Sequence, residues 1–524
     1  MEKVFNNPSE LEKIAKTQLN IPPFLMMENA ANCMAQFIVS QKIKSLIILC
    51  GKGNNGGDGF ALARLLLNFI PREDITLLVP ELPVAEEAKV QFEICQKMKI
   101  SIKLNDQVFD FLDNLKNSVQ PCGYKQSDGN KQSGEFEHKV PFKNKDFQTA
   151  VVDCLFGIGF HGELAPKFTE ILDCVNAFPA LKIACDIPSA LYFKADYTIT
   201  MGAHKTVLLS DKAKNVCGKI ILADLGIPRQ LFTSFLEEDA FLLEPADSTP
   251  PYRTNKTSHK GTYGHTVVFS GHKAGASVIA ATASAHFGSG LTTLLQTEYS
   301  NLEQFKISPQ LMISSEIPRK TTALVFGPGF GGEIITQNVF SSICKWFSEA
   351  KNPAIVLDAG VFGCTNFFDF LKILCSVENA RIVLTPHLLE YNRLLCGLKQ
   401  FLKNEDFPFL EEEFSVQTLS ENPMKKIETA KFFMTMFPNV AIIIKSANTF
   451  IASENKIFVC TEGAQSLAKG GSGDVLAGMV GSLLSQGYNA KDAAVTAVLE
   501  HAAVSQKAGA KSYNLTPEKI ISLL

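Results

Sequence analysis

The chain has 524 residues, of which 46% are hydrophobic and 20% are charged, and its formal net charge is −3. These values are typical of a globular protein with two to four domains, and they give no electrostatic reason to expect a nucleic-acid partner. The longest apolar runs, such as 45–50 and 441–444, are too short to span a bilayer, so we expect no membrane partner.

The cysteine usage predicts a cytoplasmic protein. There are thirteen cysteines, and several of them, including Cys50, Cys154 and Cys185, lie in strand-like apolar runs. We interpret them as reduced, buried thiols rather than as a disulfide framework. The first five residues lack the basic and apolar regions of a signal peptide, which favours the same compartment.

The first half of the chain alternates short apolar runs with helical patterns, as an open parallel sheet does. The predicted strands are 45–50, 75–79, 149–155, 182–185, 197–200 and 219–222, and the helices between them include 59–69 and 85–97. Residues 105–148 interrupt this alternation with many Ser, Lys, Asp, Gly and Gln residues. We expect a surface insertion or a partly disordered loop there.

A second series of strands follows two consecutive prolines, Pro250 and Pro251. Its predicted strands are 265–269, 291–296, 311–317, 324–326, 354–357, 381–384 and 440–444, with helices that include 275–287 and 334–347. The segment 237–251 holds acidic residues, serine and prolines, a composition found in linkers. We therefore predict two α/β domains, 1–240 and 241–524.

Glycine patterns recur in this chain, so a single match carries little weight. The dinucleotide fingerprint G-x-G-x-x-G occurs at 51–56, 157–162 and 327–332. The first match follows a predicted strand and precedes a helix, but no acidic residue clearly ends the next strand. The P-loop pattern G-x-x-x-x-G-K-[ST] is absent from the sequence, which disfavours a Walker-type nucleotidase.

Polar residues at three predicted strand ends of the first half could form one ligand crevice. Residues 52–60 read Lys-Gly-Asn-Asn-Gly-Gly-Asp-Gly-Phe, and Asp153 and Asp186 lie at the ends of two further strands. Because the carboxyl ends of parallel strands meet at one edge, we expect these residues to converge. Asn55, Asp153 and Ser189 could offer hard oxygen ligands to K⁺ or Mg²⁺. Ordinary turn formation by Asn and Asp is the alternative.

Residues 463–478 predict an anion site in the second half. They read Gly-Ala-Gln-Ser-Leu-Ala-Lys-Gly-Gly-Ser-Gly-Asp-Val-Leu-Ala-Gly. The glycines allow a tight turn before an apolar helix, where unpaired N–H groups and the helix dipole suit a phosphate. Asp474, in the first turn, could take a proton from a hydroxyl beside that phosphate. A glycine-rich turn capped by Asp474 is the alternative.

Together these motifs resemble two enzyme domains in one chain. Residues 27–31 (Met-Glu-Asn-Ala-Ala), 54–58, 153–159 and 186–189 (Asp-Ile-Pro-Ser) resemble the NAD(P)HX epimerase domain. Residues 259–265 (His-Lys-Gly-Thr-Tyr-Gly-His), 327–329, 384–390 and 470–474 resemble the ribokinase-like NAD(P)HX dehydratase domain. The resemblance covers nearly the whole chain. It implies a Rossmann-like three-layer α/β domain followed by a ribokinase-like α/β domain.

What the resemblance implies is the repair of damaged nicotinamide cofactors. NADH and NADPH can add water at C6, which gives R and S hydrates called NADHX and NADPHX. In this family the first domain interconverts the epimers. The second dehydrates the S hydrate, with ADP in bacterial members and ATP in eukaryotic ones. The resemblance also implies K⁺ in the first domain, Mg²⁺ with ADP in the second, and a homo-oligomer.

The resemblance further implies which residues form the two sites. In the first domain the hydrate would contact Asn54, Asn55, Gly56, Gly57, Asp58, Gly157, Ile158, Gly159, Phe160, His161, Gly162, Glu163 and Asp186, and K⁺ would be held by Asn55, Asp153 and Ser189. In the second domain the hydrate would contact Ala276, Gly329, His387 and Asp474. The nucleotide would be held by Lys445, Ser446, Ala447, Asn448, Thr449, Ala464, Gln465, Ser466, Leu467, Ala468, Lys469, Gly470, Gly471, Ser472 and Gly473. Asp474 would be the base toward the C6 hydroxyl, and Asp186 would assist ring opening or proton movement.

Three positions depart from the family pattern. Ala190 stands where glycine usually follows Asp-Ile-Pro-Ser, Gly360 stands where a second aspartate is usual, and Ser446 stands where glycine is usual. If the first position needs a positive φ, alanine costs ~1 kcal/mol there. Two other interpretations remain open. One is a ribokinase-like sugar or vitamin kinase with an accessory ligand-binding domain, and the other is a non-enzymatic scaffold or nucleotide sensor.

Overall fold

The alternation of buried strands and helices predicted from the sequence occurs twice along the chain. The computed structural model describes residues 1–118, 147–160, 162–331, 337–402, 414–507 and 513–524. The N-terminal unit comprises Asn7–Leu208 and Lys212–Glu237, and the C-terminal unit comprises Met1–Asn6, Leu209–Asp211 and Glu238–Leu524. Within the described ranges, none of the helices has the length and apolar character that crossing a membrane requires.

Strand β1 (Glu2–Phe5) belongs to the C-terminal unit, and the elements up to residue 232 follow it. They are α1 (Pro8–Gln18), α2 (Pro23–Ser40), β2 (Ser45–Cys50), α3 (Asn54–Leu66), β3 (Ile75–Val79), α4 (Glu86–Lys97), β4 (Ser101–Leu104), α5 (Asp106–Ser118), β5 (Thr149–Cys154), α6 (Pro166–Ala177), β6 (Leu181–Cys185), β7 (Tyr197–Met201), β8 (His204–Lys205), α7 (Asp211–Lys214), β9 (Lys219–Ala223) and α8 (Arg229–Phe232).

The N-terminal unit is built on a parallel sheet with the strand order β4-β3-β2-β5-β6-β7-β9. Its central strands are buried on both faces, which is why they read as continuous apolar runs. On one face Ile47, Leu49 and Val151 pack with α5 and α6. Helix α3 packs against β2 and β5 and lies between α2 and α4. The predicted α/β architecture is confirmed for this half.

Residues 106–118 correct one expectation, because they form helix α5 rather than a loop. Val108 and Leu112 are buried in the same cluster as α6, with Phe111 and Leu115 packed beside them. These four apolar residues recur at helical spacing, so periodicity is the better guide here than the polar composition of the wider segment. Residues 119–146 lie outside the described part of the chain.

The remaining elements belong to the C-terminal unit. They are β10 (Ala240–Leu242), β11 (His265–Phe269), α9 (Ala274–His286), β12 (Leu291–Leu295), β13 (Met312–Ser314), β14 (Ala323–Phe326), α10 (Gln337–Glu349), β15 (Ala354–Leu357), α11 (Phe367–Cys375), β16 (Arg381–Leu384), α12 (Leu388–Phe401), α13 (Val416–Glu421), α14 (Pro423–Met436), β17 (Val440–Ile444), β18 (Thr449–Ser453), β19 (Lys456–Cys460), α15 (Ser472–Ser485), α16 (Ala490–Lys507) and α17 (Pro517–Leu523).

The C-terminal unit also has a central sheet, in which β13-β12-β11-β14-β15-β16-β17 run parallel. The hairpin β18–β19 continues it antiparallel, and β10 and β1 follow at the edge. Because β10 is a strand, the expectation of a linker over 237–251 is wrong for residues 240–242. The hairpin turn holds Glu454 and Asn455 at positive φ, the conformation that tight two-residue turns use.

Three cysteines end neighbouring strands of the N-terminal sheet. Cys50, Cys154 and Cys185 are fully buried and free, and burial raises the pKa of Cys50 and of Cys154. A Cβ on Gly59 of α3 would lie 2.8 Å from the Cys50 Sγ and 3.1 Å from the Cys154 Sγ, so the helix rests directly on these thiols. The sulfur atoms therefore act as small packing groups under α3.

Ala190 adopts the left-handed conformation, with φ 53° and ψ 20°. Its Cβ is strained there, so Ala190→Gly should raise the free energy of unfolding of the full chain by about 1 kcal/mol. Ala35→Gly, in the interior of α2 of the same unit, should instead lower it by at least about 0.5–1 kcal/mol. Urea denaturation followed by circular dichroism measures both changes. A loss of stability in Ala190→Gly would contradict the strain.

Candidate functional sites

A cavity of about 620 Å³ opens in the N-terminal unit where β2, β5 and β6 end. The first turn of α3 and the loop after β5 form its walls. Of the residues predicted to contact the hydrate, those on the lining are Asn54, Asn55, Asp58, Gly157, Ile158, Gly159, Phe160, Glu163 and Asp186. Gly56, Gly57 and Gly162 are not among the lining residues, and His161 lies outside the described residues.

Asn55 carries a buried carboxamide whose Oδ1 and Nδ2 have no hydrogen-bond partner within the described residues. Burying such a group unpaired costs roughly 1–3 kcal/mol, so it points to a ligand. A Cβ built on Gly157 would lie 3.6 Å both from the Asn55 Cγ and from the Asp186 Oδ2. Asn55 and Asp186 therefore face the same space, with only backbone between them.

Asp153 and Ser189 clamp the loop after β5. The fully buried Asp153 carboxylate accepts hydrogen bonds from the Ser189 N (2.8 Å), the Ser189 Oγ (2.6 Å) and the Leu155 N (3.2 Å). The Ser189 Oγ in turn accepts from the Phe156 N at 2.9 Å. Burial raises the pKa of Asp153 to about 6, although these hydrogen bonds lower it. Within the described residues no basic side chain pairs with Asp153, so a cation could compensate its charge.

Asp186 is held by a lysine that the sequence analysis did not assign. The Nζ of Lys205 lies 2.7 Å from the Asp186 Oδ1 and donates to the Thr200 Oγ1 and the Met201 O, both at 2.9 Å. The Lys205 side chain is only 3% exposed. Asp186 itself has φ +68°, a strained backbone that occurs at functional sites. No motif in the sequence marks Lys205, which follows the strand 197–201 among threonines and next to His204.

Two more carboxyl groups, those of Glu12 and Asp58, line the same cavity. Burial is the main cause that raises the pKa of each, and repulsion by the Asp186 carboxylate adds to it. Glu12 comes from α1, far from the other groups in the sequence, and no motif marks it. Glu12, Asp58 and Asp186 therefore share the part of the cavity that Lys205 lines, and the lining also holds Lys52, Glu81 and Glu163.

In the C-terminal unit, the ends of β15, β16 and β17 form a second polar site. The Asp358 Oδ1 accepts hydrogen bonds from the Lys445 Nζ (2.9 Å) and the Thr385 Oγ1 (2.7 Å). A Cβ on Gly473 would lie 3.2 Å from the Lys445 Nζ, which places the ammonium against the first turn of α15. Gly471, with φ 90°, is the residue before that helix, and its left-handed conformation suits glycine.

Asp474 lies in the first turn of α15 and faces this group. Its pKa is raised to about 7, mainly by burial and further by the charges of Asp358 and Glu390, whereas Lys445 lowers it. Glu390 is fixed by a reciprocal cap at the start of α12. The His387 Nδ1 accepts from the Glu390 N at 3.2 Å, and the Glu390 Oε2 accepts from the His387 N at 2.9 Å. Asp358 and Glu390 are residues to which the sequence analysis gave no role.

The residues predicted to hold a nucleotide lie in two loops, 445–449 and 464–473. Those of the second loop that are exposed are Gln465, Ala468, Lys469 and Gly470, whereas Ser466 and Ser472 are buried. In the first loop, the Asn448 Nδ2 donates to the Leu209 O at 3.0 Å, so this side chain points into the unit. Ser446 donates to the Asn448 O at 2.6 Å, so both side chains brace the loop.

Ala276 and Gly329, predicted to face the hydrate, are neighbours in the C-terminal unit. A Cβ on Gly329 would lie 3.6 Å from the Ala276 Cβ, and the Lys273 N donates to the Gly329 O at 2.9 Å. Gly360, where a second aspartate is usual, has no space for a side chain, because a Cβ there would lie 2.0 Å from the Phe330 O.

Comparison with known proteins identifies both units. Residues 24–207 match the family described as YjeF-related protein N-terminus, and residues 266–524 match the family described as NAD(P)H-hydrate dehydratase. The bifunctional NAD(P)H-hydrate repair enzyme Nnr of Helicobacter pylori is 32% identical, over 99% of this chain and 99% of that protein. The enzyme of the same name from Dictyoglomus turgidum is 26% identical, over 98% of this chain and 95% of that protein.

A solved structure with a similar fold is the ADP/ATP-dependent NAD(P)H-hydrate dehydratase from Bacillus subtilis, co-crystallised with ATP and Mg²⁺. It is 21% identical, with a TM-score of 0.41, and the match covers 53% of this chain and 93% of that one.

Replacing Lys205 with methionine should destabilise the chain strongly, because Asp186 would keep a buried charge without its cation. Breaking a buried pair in this way costs about 3–5 kcal/mol. Urea denaturation at pH 8 measures the loss. The double variant Lys205→Met/Asp186→Asn should recover part of the loss, and a single variant as stable as wild type at pH 8 would contradict the pairing.

Proposed function

Because the chain belongs to the family of bifunctional NAD(P)H-hydrate repair enzymes, we propose that its two units catalyse the two reactions of that repair. The N-terminal unit, within residues 1–240, interconverts the R and S hydrates of NADH and NADPH. The C-terminal unit, most of which lies within 241–524, dehydrates the S hydrate to NAD(P)H at the expense of ADP. The observation that carries the proposal is the 32% identity to a repair enzyme over 99% of both chains.

Dehydration requires a hydroxyl group to leave C6, and hydroxide is a poor leaving group. In the proposed reaction Asp474 takes the hydroxyl proton while the oxygen attacks the terminal phosphoryl group of the nucleotide. A new P–O bond forms as the bond to the rest of the nucleotide breaks. The ring nitrogen then supplies the electron pair that breaks the C6–O bond and releases phosphate. Loss of a proton from C5 completes the reduced nicotinamide.

The surroundings of Asp474 support this role. A carboxyl with a pKa of about 7 is ionised often enough at neutral pH to accept a proton, and basic enough to take one from a hydroxyl. The N–H groups of Gly470–Gly473 and the start of α15 would bind the phosphates of the nucleotide. The Lys445 ammonium, beside Gly473, would reach the same phosphates as a point charge.

Mg²⁺ is proposed to arrive with the nucleotide. In the described part of the chain, no group of three or more His, Cys, Asp and Glu side chains could hold a metal ion. Mg²⁺ is often bound through substrate phosphates and few protein groups, so its expected place is on ADP. There it would neutralise charge on the phosphoryl group that is transferred.

For K⁺ in the N-terminal unit, the donor set of Asn55, Asp153 and Ser189 fits a hard cation. The Asn55 Oδ1 lacks a partner within the described residues, and Asp153 is a buried carboxylate that no basic side chain there pairs with. The Ser189 Oγ donates to Asp153 and accepts from one N–H, so an acceptor position remains. A bound K⁺ would compensate the charge of Asp153 and orient the Asn55 carboxamide.

A sugar or vitamin kinase is not favoured, because a repair enzyme matches the full length of the chain. A scaffold without activity is not favoured either, since the cavity of the N-terminal unit keeps Asp58 and Asp186. We further propose a cytoplasmic homo-oligomer. The free cysteines of the described residues support the cytoplasm as the compartment. The homo-oligomer is expected because members of the family are oligomeric.

Asp474→Asn should lower the dehydration rate by on the order of 10²-fold, since asparagine cannot take the hydroxyl proton. ADP affinity should change little, because backbone N–H groups carry the phosphate contacts. Conversion of purified S hydrate to NADH, followed by absorbance at saturating ADP, measures the rate. Asp492→Asn, an exposed carboxylate of the same unit, is the matched control and should keep the full rate. Full activity in Asp474→Asn would rule out the base.

Exchange of K⁺ for Li⁺ should slow epimerisation several-fold, because the smaller ion fits the proposed donors poorly. A readout that does not depend on activity is the melting temperature, which K⁺ should raise in wild type. Asn55→Leu removes one donor, so it should lose both the thermal shift and the ion dependence. Equal rates in both salts, with no thermal shift in wild type, would contradict the site.

A further inference from the structure

Among the described residues, the cavity of the N-terminal unit is lined by five carboxyl groups and two lysines, and one of the lysines, Lys52, lies 3.5 Å from Glu81. Glu12, Asp58 and Asp186 line it together with Lys205. Asp186 forms the ion pair with this lysine, because the Lys205 Nζ lies 2.7 Å from the Asp186 Oδ1. The other hydrogens of that ammonium go to the Thr200 Oγ1 and the Met201 O. All three donors of Lys205 are thus used, and none remains for Asp58.

Asp58 has no such partner. Within the described residues, no lysine, arginine or histidine forms an ion pair with it, and the Cys185 Sγ lies 4.0 Å from the Asp58 Oδ2. Burial, and then the charges of Asp186 and Glu12, raise the pKa of Asp58 well above its usual value, while Lys205 lowers it. Asp58 is therefore the carboxyl group of the two that holds a proton more readily, whereas Asp186 has an ammonium to pair with.

We propose that Asp58 is the proton donor of epimerisation and acts opposite Asp186, which is the proton acceptor. Two carboxyl groups in one cavity, one paired with an ammonium and one not, have the arrangement that divides acid from base. This inference rests on the proposed function of the N-terminal unit and adds a role that the resemblance did not assign to Asp58.

The reaction then balances without a co-reactant. The Asp186 carboxylate takes the proton of the C6 hydroxyl, and the oxygen forms a carbonyl as the C6–N1 bond breaks. The electron pair of that bond goes to N1, which receives the proton of Asp58, so an open aldehyde with an N–H results. After rotation about C5–C6, N1 attacks the other face of the carbonyl. Its proton returns to Asp58, and Asp186 returns its proton to the oxygen.

The backbone at Gly157 leaves room for the ring beside Asp186 and Asn55. Gly157 has no side chain, and a Cβ there would stand 3.6 Å from the Asp186 Oδ2 and from the Asn55 side chain. The reacting carbon can therefore approach Asp186 over bare backbone, and Asn55 offers an amide with unused hydrogen-bonding capacity. A side chain at position 157 would fill the space where C6 has to lie.

The first test is Asp58→Asn in the full-length enzyme. Asparagine keeps the size of the side chain but cannot supply the proton, so kcat for epimerisation should fall by on the order of 10²-fold with KM changed less than about twofold. Chiral chromatography or NMR of the R and S hydrates measures the rate. The variant should keep the wild-type circular dichroism spectrum and urea transition, which shows that the N-terminal unit is folded, and dehydration of the S hydrate should be unchanged. Asp224→Asn, a 63% exposed carboxylate of the same unit, is the matched control and should epimerise normally.

The second test needs no variant. If Asp58 donates a proton, kcat of wild type should fall as the pH rises through the raised pKa of that group, and this fall should be missing in Asp58→Asn. The charged and titratable groups that face Asp58 are Glu12, Asp186, Lys205 and Cys185. Normal epimerisation by Asp58→Asn, or the same fall of kcat with pH in that variant and in wild type, would overturn the inference alone. Absence of epimerisation by wild type would overturn the proposed function as well.

Discussion

In both units, one lysine holds a cluster of carboxyl groups that would otherwise repel each other. Lys205 pairs with Asp186 in the N-terminal unit, and Lys445 pairs with Asp358 in the C-terminal unit. Two like charges about 6 Å apart still repel by about 3 kcal/mol at an effective dielectric constant of 20. One ammonium cannot neutralise three such groups, so the carboxyls left over must hold protons or find another cation. This constraint determines what each site can do.

The carboxyl group that the lysine does not pair with differs in its pKa between the two units. In the C-terminal unit the surplus carboxyl is Asp474, whose pKa of about 7 leaves it able to receive a proton near neutrality. In the N-terminal unit the surplus carboxyl is Asp58, whose pKa is raised well above its usual value by burial and by the charges of Asp186 and Glu12. Both situations arise at the carboxyl ends of parallel strands, where loops and the first turns of helices meet and side chains are partly withdrawn from water. The sheet brings the groups together, and burial separates their pKa values.

The sequence predicted the parts of this arrangement that depend on local patterns. Fully buried strands read as apolar runs, so most strands of both sheets were found, and the glycine turn before Asp474 marked the start of α15. The hairpin β18–β19 and helix α5 were missed, the latter because a polar composition hid its helical spacing. Lys205 and Glu12 could not be assigned, because their partners are distant in the sequence and only the fold brings them together. The conditional expectation for Ala190 depended on a dihedral angle that only coordinates supply.

The thiols beneath α3 give this unit a property of its own. Cys50, Cys154 and Cys185 are fully buried, and Asp58 belongs to the helix that covers them. An alkylating reagent can reach these sulfur atoms only when α3 lifts from the sheet. Under native conditions, the rate at which they are alkylated therefore reports how often α3, the helix that carries Asp58, moves away from the sheet. This alkylation rate can be followed by mass spectrometry without any substrate. It therefore measures the motion of α3 in the free protein.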